Sequence, residues 1–179
     1  LGEASVNERE ADAYRDRCLA ALRILGDVCP AWSPSPLLER DHLGPLPRVQ
    51  LSIKISALYS QLDPIDPESS YRAVAARLRP LLNVAGTLPA SIIFDMEQAE
   101  TKDLILSIFM RLFEEGPYRT FAHAGIALQA YRIDTYDDVQ RLLAWTTRRQ
   151  VPITIRLVKG AYWDSDAIRY RQRGWPMPL

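Results

Sequence analysis

The first part of the chain shows a helical pattern, and a segment that suits neither helix nor strand follows it. Apolar residues from Ala11 to Leu25 recur at helical spacing, with charged residues on the other face. The run Ser5-Val6-Asn7-Glu8 has the form of a capping box at the start of this helix, and Gly26 is a natural stop. Residues 30–48 contain five of the thirteen prolines, which predicts a long connecting loop.

From Val49 onward the pattern predicts four strands separated by helices. Apolar and polar side chains alternate over residues 49–55, as in the pleat of a strand. Short apolar runs predict three more strands, at 91–94, 125–131 and 153–158. Strand–helix units of this length predict parallel strands with right-handed crossovers.

The helices between these strands have recognisable starts. Asp66 followed by Pro67 is a cap with a first-turn proline, and Pro80 is expected to kink or break the helix that follows. Thr101 begins a second apolar stripe, and Thr135 is expected to cap a third helix.

Polar residues stand at or near the carboxyl end of every predicted strand: Lys54, Asp95, Gln129, and Arg156 with Lys159. A doubly wound sheet usually has a glycine-rich turn after its first strand, and none follows residue 54. A (β/α)₈ barrel instead assembles its site from all the strand ends on one face. A complete barrel needs about 250 residues. The sequence therefore predicts an α/β fold, the first half of a TIM-like barrel (49–179) preceded by a helical segment and a proline-rich loop (1–48).

Composition and charge narrow the function classes. Of the 179 residues, 47% are apolar and 25% are charged, as in a globular domain. The 22 basic and 22 acidic residues give a formal charge of zero, so we expect no long-range attraction to nucleic acid or to an anionic membrane. No apolar run approaches the roughly 18 residues of a membrane helix. The opening Leu1-Gly2-Glu3-Ala4 lacks an initiator methionine, so we expect a piece of a longer protein.

Other polar residues are interpreted as structural. The two cysteines are expected to be buried thiols in a reducing compartment. Neither His42 nor His123 has a cysteine or carboxylate partner at metal-ligand spacing, so no metal site is expected. The pair Asp137-Asp138 is interpreted as solvated, and Arg148-Arg149 as cations that suit a helix dipole.

The segment 156–164 contains more candidate binding residues than any other part of the sequence. It combines two cations, Arg156 and Lys159, with Gly160 and the adjacent rings of Tyr162 and Trp163. Such a set suits a large planar anionic cofactor, with cations for phosphates and rings for stacking. It equally suits a strand edge whose cations pair with surface carboxylates and whose rings cover a core.

Four segments in order, 51–58, 95–99, 129–131 and 156–164, resemble the proline dehydrogenase domain of the bifunctional proline utilization A flavoenzymes. The resemblance covers nearly the whole chain. It implies an FAD-containing barrel that oxidises L-proline to pyrroline-5-carboxylate, the first step of proline catabolism to glutamate, and passes electrons to a membrane quinone. It also implies a cytoplasmic protein, peripheral at the inner membrane face, and an aldehyde dehydrogenase module in the same parent chain.

The resemblance implies a catalytic set of Lys54, Asp95 and Tyr162. Lys54 matches a lysine that meets the proline carboxylate, and a lysine on the inner face of a strand needs an anion in any case. Asp95 matches an aspartate beside that lysine and the flavin, where an internal ion pair would keep both charged. The alternatives are a lysine snorkelling from an edge strand and an aspartate capping a helix. Tyr162 matches a tyrosine bordering the substrate pocket, and Glu3 a glutamate that gates the substrate.

The resemblance also implies the flavin contacts. Gln129 matches a glutamine facing the isoalloxazine, and Arg156 an arginine near its central ring nitrogen, where a cation favours the reduced anion. Asp95 and Met96 are expected to contact the flavin, although Met96 replaces the small residue of many members. The loop expected to wrap the cofactor consists of Val158, Lys159, Gly160, Ala161, Tyr162 and Trp163.

Further family residues are expected beyond Leu179, in the remainder of the barrel: a histidine for the flavin, and a tyrosine and two arginines for the proline carboxylate. The chain alone is therefore expected to be inactive and to bind FAD weakly. Lysines at the strand ends of barrels can also form Schiff bases with carbonyl substrates. An aldolase-like lyase that uses Lys54 or Lys159 is therefore an alternative function. A ligand-binding half-barrel does not explain why polar residues fall at every strand end.

Overall fold

The computed structural model describes residues 3–88 and 90–177. The chain forms two compact units, one up to Ile93 and one from Phe94. The regular elements of the first unit are α1 (Glu8–Val28), β1 (Arg40–Asp41), β2 (Gly44–Pro45), β3 (Val49–Ile53), α2 (Pro67–Thr87) and β4 (Ala90–Phe94), whose last residue opens the second unit. The predicted division after residue 48 stays a prediction.

The cap of α1 differs from the one predicted. Asn7 is the N-cap, and its side chain accepts a hydrogen bond from the N–H of Glu10 at 3.0 Å. The Glu10 carboxylate accepts one from the N–H of Val6 at 3.0 Å, which completes a reciprocal cap. Ser5 is buried instead, and its Oγ donates to the carbonyl of Ala57 at 2.8 Å. The polar side chain expected to cap the helix thus ties the chain to the segment after β3.

The helix end predicted at Gly26 and a break of the helix at Pro80 are both absent, while a kink at Pro80 stays a prediction. Gly26 lies inside α1, where a Cβ would meet Cδ1 of Leu88 at 2.7 Å. The glycine therefore permits close packing rather than ending the helix. Pro80 lies inside an unbroken α2. Leu78 and Leu81 on either side of it are fully buried, and this packing compensates for the hydrogen bond that proline cannot make.

The proline-rich loop contains a small hairpin that the sequence analysis missed. Its strands β1 and β2 are antiparallel, with Arg40 opposite Pro45 and Asp41 opposite Gly44. The Asp41 carboxylate accepts hydrogen bonds from the N–H groups of Leu43 at 2.8 Å and Gly44 at 3.1 Å. This aspartate-centred turn is the local signal that could have predicted the hairpin.

The second unit contains α3 (Lys102–Leu112), β5 (Ala124–Gln129), α4 (Thr135–Arg149), β6 (Thr154–Val158) and α5 (Trp163–Arg173). Strands β5 and β6 are parallel, and their register places Gln129 opposite Val158. Aromatic rings fill the core beside them: Phe109 lies 5.2 Å from Phe94 and 5.0 Å from Phe113 between ring centroids.

The four longer strands follow the order β3-β4-β5-β6 and alternate with helices. This arrangement confirms the α/β class and every predicted strand. Two strands end earlier than predicted, β3 at Ile53 and β5 at Gln129, because the chain turns directly after each of them. Among the described residues, no helix is both long enough and apolar enough to cross a membrane.

Candidate functional site

Asp95 and Arg156 are joined at the carboxyl end of the strands. Asp95 directly follows β4, Arg156 lies within β6, and the guanidinium donates to the Asp95 carboxylate. Their side chains are 18% and 40% exposed, respectively. The sequence analysis expected Lys54 as the partner of Asp95, and that pairing stays a prediction. Arg156 lies opposite Ala127 of β5, and its guanidinium reaches the carboxylate of the residue that follows β4.

Gln129, the last residue of β5, is held by hydrogen bonds on two sides. Its Nε2 donates to the carbonyl of Glu97 at 2.7 Å, and its own carbonyl accepts from Oγ1 of Thr135 at 2.6 Å. Thr135 was expected to cap α4, and this tertiary bond occupies its hydroxyl instead. Oε1 of Gln129 is buried and has no hydrogen-bond partner within the described residues. Leaving a buried oxygen without a hydrogen bond costs about 1–3 kcal/mol of stability. This oxygen can therefore accept a hydrogen bond from a donor on a bound ligand.

The predicted flavin residues of the two strands share one face. Successive side chains alternate between the faces of a strand, and the register places Ala127 opposite Arg156 and Gln129 opposite Val158. Arg156, Gln129 and Val158 therefore lie on the same side of the β5–β6 pair. Their contact with a flavin, which the resemblance implies, stays a prediction.

The loop that follows β6 borders a pocket of about 510 Å³. The pocket is lined by Tyr131, Lys159, Gly160, Ala161, Trp163 and Asp164. Lys159 is exposed, and Trp163 is 46% exposed. Gly160 has φ +119°, a backbone conformation in which a Cβ would also collide with Tyr131. The pocket thus combines a cation, an exposed aromatic ring and a backbone segment that no side chain covers.

These features fit a planar cofactor that carries phosphates. The orphaned acceptor of Gln129 offers a hydrogen bond to a ring N–H, and Arg156 offers a cation on the same face. Lys159 and the backbone at Gly160 suit phosphate oxygens, while Trp163 provides a ring for stacking. Within residues 3–88 and 90–177, no group of three or more histidine, cysteine, aspartate or glutamate residues could hold a metal ion.

Lys54 belongs to the first unit and lies just outside β3. It precedes the short 3₁₀ helix Ile55–Ala57 rather than extending the strand, and its backbone N–H donates to the Tyr14 hydroxyl at 3.3 Å. The side chain is half-buried, and in the described part of the chain no carboxylate lies within ion-pair distance of its ammonium group. The ammonium can therefore bind an external anion.

The remaining predicted residues occupy different environments. Met96 is buried at 7% exposure, next to Asp95. Tyr162 is half-buried at the N-cap position of α5. Glu3 is exposed. Their roles toward substrate and cofactor stay predictions.

A buried charge pair, Lys102 with Asp138, is absent from the sequence analysis, which took Asp138 for a solvated group. Nζ of Lys102 lies 2.7 Å from Oδ2 of Asp138 and 3.3 Å from Asp134. Burial lowers the pKa of Lys102, but the hydrogen bonds and negative charges of Asp138 and Asp103 together outweigh it, so the net shift is upward. Burial raises the pKa of Asp138 despite its bond to Lys102.

Helical spacing is the signal that could have identified these buried charges. The buried side of α4 comprises Thr135, Asp138, Leu142, Trp145 and Arg149, which recur at intervals of three and four residues. Arg149 lies in the last turn of α4 as predicted, and it is also buried: it is 5% exposed and donates to the carbonyls of Phe113, Tyr118 and Phe121 at 2.7–3.2 Å.

Comparison with known proteins adds a family match. The model of the family described as proline dehydrogenase matches residues 1–179. Bifunctional protein PutA of Klebsiella aerogenes is 29% identical over 174 residues, which are 97% of this chain and 12% of that protein. Proline dehydrogenase 1 of Bacillus subtilis subsp. natto is 25% identical over 170 residues, 95% of this chain and 45% of that protein.

A solved structure is similar over the whole chain. Proline utilization A from Bdellovibrio bacteriovorus, inactivated by N-propargylglycine, superposes with a TM-score of 0.95 at 37% identity and covers 100% of this chain. The match confirms the barrel-type α/β fold expected from the strand ends. This chain spans only 19% of that protein, and less than half of each curated relative named above.

Proposed function

Because the chain belongs to the proline dehydrogenase family, we propose that it takes part in the FAD-dependent oxidation of L-proline to pyrroline-5-carboxylate. The observation that carries the proposal is the shared face of β5 and β6. On that face Arg156 is paired with Asp95, and Gln129 offers a buried acceptor without a partner.

The reaction converts the single bond between the proline nitrogen and its Cδ into a C=N bond. A hydride leaves Cδ and a proton leaves nitrogen, so two electrons must be accepted. When bound, FAD would supply the two-electron acceptor for this step.

The residues on the shared face would hold the flavin ring. Oε1 of Gln129 would accept a hydrogen bond from a ring N–H, which removes the cost of an unsatisfied buried oxygen. Arg156 would place positive charge beside the ring, and the Asp95 carboxylate fixes the direction of the guanidinium. Lys159 would bind phosphate and Trp163 would pack against the remainder of the cofactor.

We assign the binding of the substrate mainly to Lys54. A half-buried ammonium group without a carboxylate partner is suited to the proline carboxylate. Tyr162 would border the substrate pocket, and Glu3 would act as a gate over the substrate. The Asp95 carboxylate would hold the guanidinium of Arg156 in place.

The wider setting also belongs to the proposal. The relatives are much longer than this chain, and the Klebsiella relative is described as bifunctional. We therefore assign the remainder of the barrel and an aldehyde dehydrogenase module to the full-length natural protein. The electrons would pass to a membrane quinone, and the cytoplasmic protein would meet the inner membrane face peripherally.

An anaerobic titration of the full-length natural protein with L-proline tests the proposal. The absorption band of oxidised flavin near roughly 450 nm should bleach as proline is added. Lys54→Met should raise the proline concentration for half-bleaching about tenfold to a hundredfold, because a charge-assisted hydrogen bond is lost. Arg23→Met removes an exposed cation from α1 and should leave the titration unchanged.

Two outcomes would overturn the proposal. One is a purified natural protein without a flavin band, and the other is a flavin band that proline leaves unchanged. Borohydride treatment with a carbonyl substrate then tests the Schiff-base alternative, since only a lysine–substrate adduct becomes covalently trapped. A trapped adduct that disappears in Lys54→Met or in Lys159→Met would establish that alternative.

A further inference from the structure

Gly160 rests directly on the ring of Tyr131. A Cβ at Gly160 would lie 2.2 Å from Cδ1 and 2.3 Å from Cε1 of that ring. The backbones are joined at the same place: Ala130 N–H donates to the carbonyl of Val158 at 2.8 Å, and Tyr131 N–H to that of Lys159 at 3.3 Å. These bonds extend the β5–β6 pairing past the strand ends. The loop 159–163 therefore starts against Tyr131.

The far end of the same ring is also fixed. The Tyr131 hydroxyl donates to Oδ2 of Asp166 at 2.5 Å, and Asp166 lies in the first turn of α5 at 1% exposure. Nη1 of Arg132 donates to the same oxygen at 3.3 Å. Arg132 is itself held by Asp134, which accepts from Nε at 2.9 Å and from Nη2 at 2.8 Å. The edge of the Tyr131 ring contacts Trp163, with centroids 5.6 Å apart.

The hydroxyl of Tyr131 keeps its proton at physiological pH. Burial raises the pKa of Tyr131 well above its ordinary value, and the hydrogen bond to Asp166 raises it further. The hydroxyl is thus a permanent donor to Asp166. One ring connects the end of β5, the loop 159–163 and the start of α5.

From this geometry we propose that Tyr131 is a positioning residue: Asp166 and Arg132 hold its ring, and the ring holds the loop 159–163 in the shape that receives the phosphate-bearing part of the cofactor. We call this set, Tyr131, Arg132, Gly160 and Asp166, the Tyr131 brace. The pocket beside the brace contains one lining cation among the described residues, Lys159, which suits a phosphate. The cofactor part of this inference rests on the proposed FAD function, whereas the brace is a property of the chain.

The test compares Tyr131→Phe with wild type in the full-length natural protein. In the apoprotein, backbone amide hydrogen exchange of the peptide that contains 159–163 should be about tenfold faster, because one hydrogen bond to a buried carboxylate is lost. The FAD concentration that reconstitutes half of the apoprotein should rise by about tenfold for the same reason. The matched control is Tyr136→Phe, which removes the hydroxyl of a tyrosine that is 69% exposed on α4 and should change neither quantity.

Kinetics at increasing FAD concentrations distinguish positioning from general damage. The deficit of Tyr131→Phe in kcat/KM for L-proline should shrink as the FAD concentration is raised, because bound cofactor holds the loop in its shape. Asp166→Ala should speed exchange of the loop by itself, and Tyr131→Phe should add little in that background, since both changes break one contact. Unchanged loop exchange in Tyr131→Phe, or equal loss of protection throughout the protein, would overturn the proposal.

The two levels of inference fail separately. A wild-type protein that binds no FAD overturns the cofactor assignment, while the loop exchange still decides whether the brace exists. A wild-type protein that binds FAD and bleaches with proline, together with an unaltered loop in Tyr131→Phe, overturns the brace and leaves the proposed function standing.

Discussion

Arg156 is ion-paired with Asp95, the residue that directly follows β4. The charged residues that the sequence analysis singles out are of two kinds. Arg156 has a fixed carboxylate partner and so a fixed direction, whereas the ammonium of Lys54 has no carboxylate within ion-pair distance in the described chain. A fixed cation suits the polarisation of a bound ring, and an unpaired cation suits an exchanging anionic substrate.

Loss of the Asp95 charge should impair catalysis. Asp95→Asn removes the carboxylate that accepts a charge-assisted hydrogen bond from Arg156. We expect kcat/KM for L-proline to fall about a hundredfold, the order found when one preorganised polar contact is removed. Steady-state kinetics of the full-length natural protein measure this. Asp137→Asn, an exposed aspartate on α4, is the control and should match wild type. A value for Asp95→Asn within threefold of wild type would contradict the assigned role.

Gly160 should tolerate no side chain. Gly160→Ala places a Cβ against the Tyr131 ring in a left-handed backbone conformation, so it should lower the free energy of unfolding by about 1–3 kcal/mol. Thermal unfolding of the apo form of the full-length protein measures the change. The control is Gly86→Ala in α2, where a Cβ would meet nothing within 4 Å. That change should be neutral or stabilise by up to about 1 kcal/mol, because alanine favours a helix. Equal melting temperatures for the two variants would refute the steric argument.

The sequence predicts the strands and the polar residues at their ends because both follow local rules. Alternation and short apolar runs locate β3 and β6, and polar residues at the strand ends identify Asp95 and Gln129. Partners across space follow no such rule. That Asp95 pairs with Arg156 depends on the register of the strands, which no short motif specifies.

The missed features share one physical cause: tertiary contacts override local preference. Serine is a common N-cap residue, but the Ser5 hydroxyl donates a hydrogen bond to the Ala57 carbonyl. Asn7 caps the helix instead. Asp138 is an acidic residue in the first turn of α4, a position that is usually solvated. Its spacing from the other buried residues of α4 places it on the buried side of the helix, beside Lys102. A test for helical spacing among charged residues as well as apolar ones would have identified Asp138.

Lys102 should be essential for stability. Lys102→Met leaves the Asp138 carboxylate buried without its cation, and breaking such a pair costs about 3–5 kcal/mol. Denaturant unfolding of the full-length protein should show the loss in the transition that includes this unit. The control is Asp103→Asn, whose side chain is 78% exposed and contributes little to the same lysine. The double variant Lys102→Met with Asp138→Leu should recover much of the loss, and failure to do so would argue against an uncompensated charge as its cause.

His123 should make stability depend on pH near neutrality. Burial lowers the pKa of this imidazole below 6.5, so the unfolded chain binds a proton that the folded chain releases. The contribution of the neutral ring is therefore fully present above pH 6.5 and is lost as the pH falls through the folded-state pKa. The melting temperature of the full-length protein should decline from pH 6.5 towards about pH 5, and His123→Gln should reduce the slope of that decline. His42→Gln, in the exposed hairpin loop, controls for the removal of a histidine as such. An identical slope in wild type and His123→Gln would show that other groups cause the decline.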